Sequence, residues 1–113
     1  MKEKKYRFYS ILEDTYLNHL IRIDTDRSLA KNLMRECFSE TNVNDERLLL
    51  LCDYFSGLYN LEKILNDAER SYIPEEKKYF ISQKLAYKML MYLEFLESTK
   101  RELSKTNLSI EIH

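Results

Sequence analysis

One glycine, Gly57, and one proline, Pro74, in 113 residues constrain this chain more than any other feature. Hairpins, bulges and tight turns draw on Gly, Asn-Gly and Pro for backbone angles that other residues adopt at a cost. A chain with two such residues is poor material for most β architectures, and an all-α fold is the expectation. The same scarcity removes any phosphate-binding loop built on clustered glycines, so neither a Walker loop nor a dinucleotide fingerprint is present. The length suits one hydrophobic core. The expectation is a single helical domain over residues 1–106 and a short tail over 107–113.

Apolar spacing divides the domain into four predicted helices. The first runs from about Lys4 to Ile23 on the stripe Tyr9, Leu12, Tyr16, Leu20 and Ile23. Asp24-Thr25-Asp26 then predicts a stop and an N-cap. A short second helix follows to Glu40, with Leu29, Ala30, Leu33, Met34, Cys37 and Phe38 inward, and Ser39 to Asn44 read as a loop. The third begins near Asn44 and carries Leu51, Tyr54, Leu58, Leu61, Leu65, Ala68 and Tyr72, alternating steps of three and four as in a coiled-coil seam. Gly57 inside it costs about 1 kcal/mol relative to alanine, which predicts that another helix comes close there. Pro74 reads as the first position of a long fourth helix. Its main stripe is Leu85, Met89, Tyr92, Leu96, Thr99 and Leu103, beside a row of Tyr79, Ala86, Leu90 and Leu93. The tail alternates Leu108, Ile110 and Ile112 with polar residues, the pattern of an extended segment. Together these give an up-and-down four-helix bundle with a short second helix, long third and fourth helices and an extended tail.

The fourth helix has more apolar surface than such a bundle needs. Tyr87, Met91 and Phe95 form a third row on its far side, which predicts either that this helix is central or that another chain covers the row. Those three residues are the candidate protein interface, because tyrosine and methionine are common at interfaces.

Charge excludes less. The formal net charge is -1, so no global field draws the protein to nucleic acid or anionic membranes. The acidic third helix and the basic fourth are expected to lie antiparallel. Lys4, Lys5, Arg7, Lys77, Lys78 and Lys84 are candidates for a nucleic-acid face, since cations interleaved with Tyr6, Phe8 and Tyr9 are ingredients of single-strand binding; phosphate binding, however, normally comes with a basic surface. Leu48 to Cys52 is the longest apolar run, far below the roughly 20 residues of a membrane span. The opening residues lack a signal-peptide core, which predicts a cytoplasmic protein with Cys37 and Cys52 reduced in the core.

Catalytic and metal chemistry find little support. The two histidines, His19 and His113, belong to no Glu-x-x-His pair or His/Cys array. Acid pairs such as Asp45-Glu46 and Glu75-Glu76 fit helix first turns. No catalytic residue, metal ligand, cofactor or small-molecule substrate is therefore expected.

Ser56-Gly57-Leu58-Tyr59-Asn60-Leu61-Glu62, Ser71-Tyr72-Ile73-Pro74-Glu75-Glu76 and the following long helix with Leu85 and Met89 resemble a known family over about residues 50–98. It is the family of small bacterial four-helix bundles encoded in 23S ribosomal RNA intervening sequences, which also includes the accessory variability protein of diversity-generating retroelements. The resemblance implies a compact, self-associating bundle that assists a nucleic-acid enzyme. The residues themselves favour a non-enzymatic protein-interaction module, self-associating and accessory to a larger partner. The alternatives are a nucleic-acid-associated accessory protein and a mobile-element inhibitor or immunity protein.

Overall fold

The computed structural model describes residues 8–39 and 45–112. Over these the chain runs β1 (Phe8–Leu12), α1 (Glu13–Ser39), α2 (Asp45–Glu69), β2 (Lys78–Ser82) and α3 (Gln83–Ile112). Three helices and a two-stranded antiparallel sheet stand where a four-helix bundle was expected.

The expected break at Asp24-Thr25-Asp26 is absent because Asp26 is a core residue. It is 4% exposed, and its carboxylate lies 3.5 Å from Lys100 Nζ and 3.6 Å from Arg22 Nε. The stripe Tyr16, Ile23, Ala30 and Cys37 continues straight through the segment, all four residues being buried. Asp disfavours a helix interior by only about 0.7 kcal/mol, so these tertiary contacts override the local stop signal.

The segments Phe8-Tyr9-Ser10-Ile11-Leu12 and Lys78-Tyr79-Phe80-Ile81-Ser82, expected to be helical, are strands paired from Phe8↔Ser82 to Leu12↔Lys78. They are rich in aromatic and β-branched residues, which suit a half-buried pleat; Ile11, Tyr79 and Ile81 face the core. Pro74 does not start a helix. It sits in a turn where Ile73 N–H donates to Lys78 O at 2.9 Å, Glu76 N–H to Ile73 O at 3.1 Å and Lys77 N–H to Pro74 O at 3.2 Å. The expected extended tail is also corrected, since α3 continues through Ile112.

With no second glycine available, Lys77 takes the left-handed position of that turn, at φ 52°. Its carbonyl accepts the N–H of Glu13 at 3.0 Å, satisfying one of the free amides that open α1. Lys77→Gly should therefore raise stability by about 0.5 to 1 kcal/mol, the relief of left-handed strain exceeding the added chain entropy. Urea denaturation tests this, and a loss of stability would show that the lysine side chain itself holds the turn.

Contacts along the helices fix their directions. Tyr16 with Leu65 and Arg47 with Glu36 make α1 and α2 antiparallel; Arg22 with Glu97 and Asp26 with Lys100 make α1 and α3 parallel. The central helix is α2, not the last helix. Its predicted seam from Leu51 to Ala68 is buried, and it also buries Arg47, Gly57 and Ile64. Cys37 is in the core as expected, whereas Cys52 is exposed on α2. The resulting rod measures 61 × 26 × 19 Å with a radius of gyration of 17.5 Å, against about 13 Å for a globular chain of this length.

Candidate functional site

The outer face of α3 carries a row of exposed apolar side chains. Tyr87, Leu90, Met91 and Phe95 are 40–66% exposed on consecutive turns, so the described residues leave the predicted row of Tyr87, Met91 and Phe95 uncovered. Leu90, expected beside the buried stripe, belongs to this face.

The row borders a groove of about 440 Å³ between α2 and α3, with Asp53, Gly57 and Asn60 on one side and Lys88, Met91 and Phe95 on the other. Gly57 makes room for side chains of α3. A Cβ at that position would lie 3.0 Å from Leu96 Cδ2 and 3.1 Å from Phe95 Cδ2, so the close approach expected at this glycine is present. Asn60 turns its amide onto the Ser56 carbonyl at 2.9 Å, which leaves that wall of the groove largely satisfied by its own helix.

The predicted basic face is only partly described. Lys77 is exposed in the turn, Lys78 is half-buried in β2 and Lys84 is exposed on the first turn of α3. Lys4, Lys5 and Arg7 lie outside the described residues.

A polar layer that sequence reasoning missed crosses the middle of the bundle. Arg22 pairs with Glu97 as well as Asp26, and Arg27 pairs with Glu62 at 2.8 Å. Tyr54 is buried in the same layer; its hydroxyl and Asp26 Oδ2 have no hydrogen-bond partner of good geometry among the described residues. Burial, then the neighbouring carboxylate of Asp26, pushes the Tyr54 phenol well up. A phenol held protonated and a lysine paired with a carboxylate make no nucleophile-and-base couple. The layer instead fixes the registers of α1 and α3. Asp26 falls three residues after Ile23 and four before Ala30, and an acid in that core slot was the available signal.

Beside this layer, His19, Arg22, Glu94, Glu97 and Arg101 line an open groove of about 580 Å³ between α1 and α3. His19 is pushed below its usual pKa by burial first and by Arg22 second.

A third cluster joins the sheet to the helices. The rings of Tyr16 and Tyr79 stack at 3.7 Å with Tyr72 tilted against Tyr79 at 4.6 Å. Tyr16 donates to the Leu65 carbonyl at 2.7 Å and Tyr72 to Glu13 Oε2 at 2.9 Å. Burial foremost raises the pKa of Tyr16 and Tyr79, and the hydrogen bond to Glu13 foremost raises that of Tyr72. Phenols raised in the folded state ionise more readily once unfolded, where their pKa is about 10. Stability should thus hold below pH about 10 and fall as pH rises through the raised values. Phenolate absorbance should rise in step with loss of helical circular dichroism for these residues; full titration of every tyrosine before unfolding would contradict it.

Among the described residues no group of three or more His, Cys, Asp or Glu side chains is placed to hold a metal ion, and no helix is long and apolar enough to cross a membrane. No protein-family model, curated protein or solved structure was found to match the chain.

Proposed function

We propose that this protein is a non-enzymatic interaction module that self-associates through the outer face of α3 and acts as an accessory to a larger partner. The observation that supports it is the exposed row of Tyr87, Leu90, Met91 and Phe95, continuous with the groove at Gly57. Contiguous apolar surface of this kind on a small domain marks an interaction site, and aromatic residues and methionine are enriched in the cores of such interfaces. Arg22, Asp26, Arg27, Glu62, Glu97 and Lys100, the main polar cluster elsewhere, pair with one another between helices. Self-association also agrees with what the resemblance over residues 50–98 implies.

Light scattering on the purified chain should give a mass above that of a monomer at micromolar concentration. Met91→Glu places a carboxylate that must lose its water at the centre of the face, and association should weaken by about 100-fold. The helical circular dichroism should not change, because Met91 is largely exposed in the single chain. A wild-type protein that stays monomeric into the high micromolar range would overturn the reading.

A further inference from the structure

We propose that two copies of this chain pack α3 against α3 in antiparallel fashion, with Met91 on the two-fold axis. This inference rests on the self-association reading and specifies its partner and geometry.

Met91 is the centre of the exposed face. Phe95 and Lys88 line the groove toward α2, and helical spacing puts Lys84 with them; Tyr87, Leu90 and Glu94 lie on the opposite flank. A two-fold axis across the helix keeps each flank against its own counterpart and sets a residue before Met91 level with the residue equally far after it. Four residues before Met91 is Tyr87 and four after it is Phe95, so the apolar row is symmetric about the axis.

The charges on this face are arranged in the opposite sense. On the flank toward α2, Phe95 comes beside the partner's Lys88, an ammonium against a ring face. Asp53 lies one turn before Gly57, and Gly57 meets Phe95 and Leu96; Asp53 is thus near the level of Thr99 and close to the partner's Lys84. On the other flank the Tyr87 hydroxyl comes beside the partner's Glu94. Lys84, Lys88, Asp53 and Glu94 have no ion pair with another described residue in the single chain. A parallel arrangement would instead set Lys84 against the partner's Lys84. The long side of a rod 61 Å by 26 Å has room for the roughly 800 Å² per partner that a stable dimer buries.

The test uses the full chain with Cys52→Ser, which leaves the buried Cys37 as its native thiol. Adding Met91→Cys and oxidising with diamide should convert most of the protein to a covalent dimer, because only a residue on the axis meets its own copy. Tyr87→Cys in the same background should give little. Lys84→Glu should weaken dimerisation about tenfold, and Lys84→Glu with Asp53→Lys should restore it. A dimer that does not crosslink at position 91, or that the double reversal does not restore, overturns the antiparallel arrangement and leaves self-association standing. A monomeric wild type overturns both.

Discussion

Leu65→Ala should lower stability by about 3 to 4 kcal/mol and the midpoint of thermal unfolding by on the order of 12 °C. Leu65 has no exposed surface and lies on α2, the helix in contact with both others. Truncation removes apolar contacts and leaves a cavity that the surroundings fill only in part. The neighbours cannot collapse easily, because the Tyr16 hydroxyl is bonded to the Leu65 carbonyl at 2.7 Å and its ring is stacked on Tyr79. Chemical denaturation followed by circular dichroism measures the effect. Leu17→Ala, on the exposed side of α1, is the control and should change stability by no more than about 0.5 kcal/mol. Equal effects at the two sites would refute the central position of α2.

Gly57→Leu should cost about 2 kcal/mol even though it removes a residue that disfavours helices. Leaving glycine gains up to about 1 kcal/mol in helix propensity, but a Cβ alone would sit 3.0 Å from Leu96 Cδ2. Leu96 is buried and can give the few tenths of an ångström that a methyl needs but not the room for a leucine side chain, and overpacking of this kind costs about 1 to 3 kcal/mol. Phe95 is partly exposed and can swing outward. Gly57→Ala, needing only a few tenths of an ångström from these side chains, should therefore be near neutral. The leucine variant should also push Phe95 out of place and weaken self-association more than it weakens folding. Urea denaturation and light scattering on the same samples separate the two effects; a leucine variant as stable as wild type would show that helix approach at Gly57 is not tight.

The α2 seam was legible because its signal is redundant. Six residues from Leu51 to Ala68 repeat at helical spacing, and no single one decides the assignment; the seventh expected member, Tyr72, lies beyond the end of α2. Gly57 was readable for a similar reason: a glycine in the middle of a strong helix needs a compensating contact. Asp24-Thr25-Asp26 misled because cap chemistry and a buried ion pair use the same residue type, and only the third dimension distinguishes Asp26 bonded to Lys100 from Asp26 capping a helix. The strands misled because five-residue segments pair with a distant partner, while the glycine and proline count speaks only to local turns. Tyr79-Phe80-Ile81 carried the strand signal. Lys77 shows how the turn was built without glycine, by placing strain on an ordinary residue. At the candidate site, Tyr87, Met91 and Phe95 were visible as an excess of apolar rows over what a bundle can bury. Of the ion-pair layer only Asp26, an acid in a core slot, left a signal; Arg22, Arg27, Glu62, Glu97 and Lys100 come from different helices and each reads alone as a solvated charge.

The pairing of β1 with β2 also sets a clock for folding. The two strands are about 70 residues apart in sequence, so closing them carries a loop entropy that the helical hairpin of α2 and α3 does not. The helices can form and dock early from neighbouring segments, and the sheet then waits for the segments that precede α1 and follow α2 to meet. Refolding should be slower than helix-bundle content alone implies, with the amides of Phe8 to Leu12 the last to gain protection from hydrogen exchange.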